Sequence, residues 1–255
     1  MTERGMIFNG EMVRALLDGR KTQTRRIVKG ADGAVKFCKE WDINGEEIFV
    51  LLGEKDHTGM NPVLGAISCP LGAVGDRIWV RETWGVVSHE LDEDGRIQSW
   101  TPDRPATAIH EMPFGNGYYS GHAIYAADGN FTWGDDDGYE DGRSCWKPSI
   151  HMPRAASRIL LEITDVRVER LNAISPEDAE SEGLERTNFT GFGDEPGLPS
   201  YPEPDVYFDP LKKQWKEYPP EAFAGLWESI YGEGSWQANP WVWVISFKRV
   251  EGGAA

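Results

Sequence analysis

The spacing of apolar residues near the N-terminus predicts a short amphipathic helix. Met12, Ala15 and Leu16 recur at helical spacing and follow Asn9, whose side chain is a good helix N-cap. Gly19 stands where the chain must leave the helix, because glycine adopts the left-handed conformation of a helix C-terminus without a steric penalty. The sequence therefore predicts a helix that ends just before Gly19.

Two further helices are predicted from their start signals. Ser175 is an N-cap, Pro176 occupies the first helical position, and Asp178 takes the place of the glutamate in a capping box. Gly183 closes this helix after two turns. A third helix is predicted from Pro219 to Ile230, where apolar residues again recur at helical spacing.

Alternating or continuous apolar runs predict β-strands, and the last of them is apolar on both faces and is therefore expected at the centre of a sheet. The expected strands are Ile48–Leu52, Arg77–Trp84, His122–Ala126, Arg158–Leu171 and Trp241–Phe247. Irregular strand spacing with three short helices is typical of an α+β protein built on a small, partly closed β-barrel. We expect one domain over 1–255 with short flanking helices, a solvated acidic loop at 128–141, and long loop-rich insertions at about 30–68, 88–120 and 186–218.

Composition and charge narrow the function classes. The 255 residues include eleven tryptophans and 40% apolar residues, which argues for a folded core. The net charge is −16, yet residues 1–30 hold seven basic and three acidic side chains and so have a charge of +4. Such a balance argues against broad binding to nucleic acid, which depends on many Lys and Arg side chains. It permits a nucleoside ligand or a locally held RNA.

Cysteine content and hydropathy indicate the compartment. The three cysteines form no CxxC pair and are odd in number, which favours free thiols in a reducing cytoplasm. No apolar run approaches the length of a membrane span, and the N-terminus has no signal-peptide core. We therefore expect a cytoplasmic protein without a membrane partner; the oligomeric state is left open.

Signatures of metal and cofactor binding are absent from the sequence. The five histidines show neither HxxH nor HExxH spacing, and the acidic run at 135–137 lacks the alternation of a calcium loop. The chain has no glycine-rich phosphate loop and no GxSxG motif. We expect no metal and no cofactor.

The strongest candidate for chemistry is the segment GRKTQTRR at 19–26. Lys21 can serve as a base if burial or neighbouring cations favour its neutral form, and such a base can activate the hydroxyl of Thr24. In a regular strand these two side chains would point to opposite faces, so direct contact requires a turn-like backbone. The alternative is that basic residues here offset a helix dipole and the threonines begin a strand.

Two carboxylates complete the candidate group. Glu182 lies one turn after Asp178 at the C-terminal end of its helix, where the dipole disfavours negative charge and suits a proton shuttle; the alternative is a surface glutamate. Glu82 lies between Arg81 and Trp84 on a predicted strand. If it faces inward it can accept hydrogen bonds from a ligand amine, and a salt bridge to an arginine near position 25 is equally compatible.

Four motifs in this order resemble the ASCH-domain superfamily: GRKTQTRR, GDRIWVRETW, ISPEDAESEGL and the ending WVWVISFKRV. The wider pattern, with CWKPSIHMPRAASRILLEIT, is similar to the larger ASCH proteins of phages and prophages. The resemblance covers most of the chain outside the three insertions, and it implies a PUA-like β-barrel and a link to RNA or nucleotide metabolism.

The resemblance also implies an activity. Small bacterial members are N4-acetylcytidine amidohydrolases whose catalytic group is a lysine, a threonine three residues later and a glutamate in a later short helix. The matching positions here are Lys21, Thr24 and Glu182. Those enzymes are far smaller than this chain, so the substrate range can differ.

In the implied reaction, Lys21 activates either Thr24 or a water molecule, and Glu182 orients Lys21 or helps protonate the leaving amine. Arg26 or a backbone N–H would stabilise the oxyanion. The expected substrate-binding residues are Arg26, Arg81, Glu82 and Trp84. Two other functions remain open at this point, a non-catalytic module that binds RNA or a modified nucleoside, and a ribonuclease.

Overall fold

The computed structural model describes residues 1–133, 144–187 and 206–250. Strand accounts for 40% and helix for 18%, so the protein is α+β and mostly sheet, as expected. No sheet formed by these residues closes into a barrel. None of their helices is both long and apolar enough to cross a lipid bilayer.

The described residues contain three α-helices: α1 (Gly10–Leu17), α2 (Pro176–Ser181) and α3 (Pro219–Tyr231). Single 3₁₀ turns lie at Ala126–Asp128, Ser149–His151, Arg154–Ala156 and Leu171–Ala173. The strands are β1 (Glu3–Ile7), β2 (Gln23–Ile27), β3 (Lys36–Trp41), β4 (Glu47–Leu52), β5 (Val63–Ile67), β6 (Arg77–Arg81), β7 (Trp84–Val87), β8 (Glu90–Leu91), β9 (Ile97–Gln98), β10 (Thr107–Phe114), β11 (Gly117–Tyr125), β12 (Leu160–Arg170), β13 (Arg186–Thr187), β14 (Val206–Asp209), β15 (Gln214–Lys216) and β16 (Trp241–Arg249).

All three predicted helices are confirmed, and the first two have the expected caps. Asn9 Oδ1 accepts a hydrogen bond from the backbone N–H of Met12 at 2.8 Å, and Gly19 has a φ of +76°. Ser175 Oγ accepts from the N–H of Asp178 at 3.1 Å. Local side-chain chemistry therefore sets where α1 and α2 begin.

The chain divides into two compact units, each discontinuous in sequence. The first contains Met1–Leu17, Gly75–Glu162 and the segment from Lys248; the second contains Asp18–Val74 and Ile163–Phe247. Both units use segments from distant parts of the chain, so the expectation of one domain with insertions stays a prediction.

In the first unit, β1 pairs in parallel with β6, and β6 pairs antiparallel with the start of β12. A second sheet has the order β10-β11-β7, and β8 pairs with β9. The interior of the unit includes a cluster of apolar side chains in which Trp84, Tyr125 and Met152 are almost fully buried. This unit holds the expected residues Arg81, Glu82 and Trp84.

In the second unit, β16 lies between β12 and β2 in the sheet order, and its register with β2 places Thr24 opposite Ile245. This confirms the expected central position of the last strand. The core of the unit packs α2 and α3 against β16 through Ala179, Phe223 and Val244. The unit also has the sheets β3-β4-β5 and β13-β14-β15.

The structure corrects several local predictions. Much of the segment 30–68 is a three-stranded antiparallel sheet, of which only β4 was anticipated, and 107–120 belongs to the long β10–β11 pair. The expected strand Arg77–Trp84 is divided between β6 and β7. β3 and β5 are mostly exposed, and without one buried face their sequences lack the apolar alternation on which such predictions depend. The expected loop at 186–218 also contains strands, because β13, β14 and β15 form a three-stranded sheet there. Residues 188–205 and most of the expected loop at 128–141 lie outside the described residues.

Candidate functional site

The centre of the candidate site is a direct contact between Lys21 and Glu182. The two residues form an isolated antiparallel bridge that joins the chain before β2 to the end of α2. Lys21 Nζ donates to Glu182 Oε2 at 2.8 Å and to the Glu182 carbonyl oxygen at 2.8 Å. The side chains are 0% and 3% exposed. The structure thus unites two sequence-predicted residues that are 161 positions apart.

Arg25 fixes the other carboxylate oxygen of Glu182. Its Nη1 donates to Glu182 Oε1 at 3.0 Å and to Gln23 Oε1 at 2.6 Å. Its Nη2 donates to Glu169 Oε1 at 2.6 Å and to Asp178 Oδ2 at 3.0 Å. Because both oxygens of Glu182 accept charge-assisted hydrogen bonds, the orientation of this carboxylate is fixed.

Arg167 and Gln23 extend the cluster. Arg167 pairs with Glu169 and with Asp178, and Gln23 donates to Asp178 Oδ1 at 3.1 Å. Asp178 thereby combines a place in the first turn of α2 with a role in the cluster. These contacts fix α2 to β2 at the point where Lys21 meets Glu182.

Burial and charge act in opposite directions on the cations of this cluster. Burial lowers the pKa of Lys21, an effect opposed by Glu182 and reinforced by the charges of Arg26 and Arg25. Burial opposes the charge of Arg25 too, but Glu182 and Glu169 outweigh it and raise the pKa of Arg25. Lys21 is therefore the cation of the pair that can release a proton, while Arg25 stays charged.

Thr24 has a different environment. β2 is a regular strand from Gln23 to Ile27, so the side chains of Thr24 and Arg25 project to opposite faces. The Thr24 hydroxyl accepts a hydrogen bond from Arg26 Nη1 at 3.1 Å. The turn-like backbone that a direct contact between Lys21 and Thr24 requires is not present in β2. Lys21 and Glu182 are brought together, and Thr24 is paired with Arg26 instead.

The other three expected residues lie in the first unit. Glu82 is 1% exposed and accepts from Arg158 Nε and Nη2, both at 3.0 Å. Burial raises the pKa of Glu82, although Arg158 opposes this effect. The inward orientation and the salt bridge are both present, but the arginine is Arg158 and not one near position 25.

Arg158 itself is surrounded by further partners. It also pairs with Asp128 at 2.7 Å, and its guanidinium lies over the ring of Tyr125 at 3.9 Å from the centroid. Trp84 is fully buried, and the Arg81 guanidinium lies over the ring of Trp79. Glu82 and Trp84 are therefore part of the interior of this unit.

Sequence reasoning missed the roles of Arg25, Glu169 and Asp178. A signal existed: Lys21, Gln23 and Arg25 alternate along one strand face, which is unusual for three polar residues unless that face meets carboxylates. Glu169 and Asp178 had no such signal, since each reaches Arg25 from a separate element more than 140 positions away.

The described residues contain no group of three or more His, Cys, Asp or Glu side chains placed to hold a metal ion. Comparison with protein-family models, curated proteins and solved structures gives no match to this chain.

Proposed function

We propose that this protein is a cytoplasmic amidohydrolase that cleaves the N4-acyl amide of acylated cytosine or cytidine, with Lys21 and Glu182 as its catalytic pair. The observation that supports this most is the buried 2.8 Å contact between Lys21 Nζ and Glu182 Oε2. Membership of the ASCH superfamily, with its PUA-like barrel, is part of the proposal and rests on the four sequence motifs.

The first step needs a base. Burial favours the neutral form of Lys21, whose amine then has one lone pair and can take a proton from a water molecule. The hydroxide that results attacks the acyl carbonyl carbon and forms a tetrahedral oxyanion. Arg26, whose Nη1 also donates to the carbonyl oxygen of Arg25 at 3.0 Å, is the donor we assign to that oxyanion.

The second step needs an acid. Lys21, now an ammonium, returns its proton to N4 as the C–N bond breaks, and the products are cytidine and a carboxylic acid. Glu182 stabilises the charged lysine between the two steps, since Arg25 holds the carboxylate in place against Lys21. Water supplies both the hydroxyl group of the acid and the proton of the amine, so the atoms balance.

Thr24 is assigned a positioning role in this scheme. Its hydroxyl accepts from Arg26, and its strand position directs it away from the side chain of Arg25. The water route is thus better supported than attack by Thr24. If Thr24 were the nucleophile, an acyl ester on its Oγ would accumulate in a variant slow in hydrolysis, and mass spectrometry of the quenched protein would detect it.

A second candidate function is non-catalytic binding of a modified nucleoside. The observation that favours it is the very low exposure of Lys21 and Glu182, whose contacts also fit a purely structural ion pair. A binding protein would keep affinity for the acylated nucleoside and release no product.

The deciding experiment measures cytidine release from N4-acetylcytidine and N4-benzoylcytidine. Wild type should release cytidine, and Lys21→Met and Glu182→Gln should lose at least 100-fold in kcat/KM, the usual scale for a general base. Lys39→Met is the matched control, because Lys39 pairs with Glu47 in the same unit at 34% exposure. Binding without release by wild type would refute the hydrolase and support the binding module.

A further inference from the structure

A cavity of about 620 Å³ lies in the second unit beside β2. Its walls include Arg26, Lys29, Ile67, Leu71, Tyr231 and Trp243. This volume is within the range of pockets that bind small organic ligands. Most of its lining is apolar or aromatic, and the two cations are its charged residues.

The cavity is connected to the candidate site through Arg26. That residue lines the cavity, donates to the Thr24 hydroxyl at 3.1 Å, and is close enough for its charge to lower the pKa of Lys21. Trp243 is paired with Arg26 in the β2–β16 register, so both belong to the same face of the sheet. A ligand in the cavity would therefore place one end beside Arg26.

Lys29 marks a second position. It lies three residues after Arg26, in the turn that follows the end of β2. Tyr231 and Trp243 supply aromatic surface to the same cavity, and Tyr231 is stacked on Trp227 at 4.2 Å between ring centroids. Aromatic side chains that are fixed by packing are suitable surfaces for a nucleobase.

We propose that this cavity binds an N4-acylated cytidine 5′-phosphate, with the acyl carbonyl at Arg26 and the phosphate at Lys29. The inference rests on the proposed function and specifies its substrate as a nucleotide, or the 5′ end of an RNA, in preference to the free nucleoside. Two cations at separate positions in an otherwise apolar cavity suit a ligand with a polar acyl group at one end and an anion at the other.

The test compares N4-acetylcytidine with N4-acetylcytidine 5′-monophosphate as substrates. The phosphorylated compound should have a kcat/KM about tenfold higher, the value of one charge-assisted contact, and the difference should shrink as salt is added. Lys29→Met should bring the ratio close to one, because the contact with the phosphate is lost. Lys55→Met, at an exposed lysine outside the cavity, should preserve the ratio.

The outcomes separate the two proposals. Equal turnover of both compounds by wild type would overturn the nucleotide inference and leave the hydrolase in place. If neither compound is hydrolysed, the hydrolase is refuted, and calorimetric titration with cytidine and cytidine 5′-monophosphate then tests the cavity. Tighter binding of the monophosphate that disappears in Lys29→Met would support the cavity assignment; equal or absent binding would overturn it.

Discussion

The contacts of Lys21 and Glu182 predict that loss of the carboxylate is more harmful to folding than loss of the lysine. In Lys21→Met, Glu182 keeps Arg25 as a partner at 3.0 Å, so no buried charge is left alone. The cost is the two hydrogen bonds of Nζ and should be about 1–3 kcal/mol. In Glu182→Gln, Lys21 loses its only carboxylate partner in the described part of the chain.

The destabilisation caused by Glu182→Gln is limited by the ability of Lys21 to release its proton. A buried charge without its partner typically destabilises a protein by about 3–5 kcal/mol. Lys21 can escape this cost by becoming neutral, which from its ordinary pKa of 10.5 requires about 5 kcal/mol at pH 7. We therefore expect Glu182→Gln to lose about 3–5 kcal/mol, and more than Lys21→Met.

Urea unfolding at pH 7, followed by tryptophan fluorescence and circular dichroism, measures this difference. Lys21→Met/Glu182→Gln, which removes both members, should be more stable than Glu182→Gln alone, because the orphaned lysine is gone. A Lys21→Met variant that is as unstable as Glu182→Gln, with unchanged m-values, would refute the role assigned to Arg25 as the second partner of Glu182.

Three further predictions concern pH, packing and the first unit. Burial lowers the pKa of Lys21, so between that lowered pKa and the ordinary value of 10.5 the unfolded chain holds a proton that the folded chain has released. The unfolding free energy of wild type relative to Lys21→Met should therefore rise with pH in that window. A fall would contradict the prediction. Gly225→Ala should destabilise the folded protein by about 1–3 kcal/mol in thermal unfolding, because the added Cβ would lie 1.9 Å from Asp209 Oδ1. Gly65→Ala is the control, because its Cβ would meet open space. Glu82→Gln should cost about 3 kcal/mol in urea unfolding, because one of the two oxygens that accept from Arg158 is replaced by an NH2 group and the negative charge is lost. Glu162→Gln, whose partner Lys248 is exposed, should leave the midpoint unchanged; equal effects would show that burial of Glu82 is unimportant.

Comparison of α2 and β3 shows which parts of the fold could be predicted from the sequence. The limits of α2 are determined by Ser175 and Gly183, whose effects act within a few residues and so are visible locally. β3 has no comparable signal: its residues Lys36–Trp41 are mostly exposed, and it is a strand because it pairs with β4. Pairing partners along the chain are not encoded in local alternation.

The candidate site also has features that the sequence predicted and features that only the structure determined. Lys21 and Glu182 were identified by residue type and motif, and the structure brings their side chains into contact. Strand alternation predicted that Lys21 and Thr24 point to opposite faces if the backbone is regular, but only the register of β2 with β16 determined that a regular strand begins at Gln23. The sequence left open whether the backbone at Thr24 is a turn or a regular strand, and the structure shows a regular strand.

By itself the sequence determined the helix limits, the apolar central strand and the residue types available for acid–base chemistry, because these depend on local spacing and intrinsic chemistry. Tertiary structure alone decided that Arg25 and not only Lys21 holds Glu182, and that Glu82 is neutralised by Arg158. The physical reason is that a buried charge is stable only with a partner, and that partner is supplied by whichever distant segment the fold brings within hydrogen-bond distance.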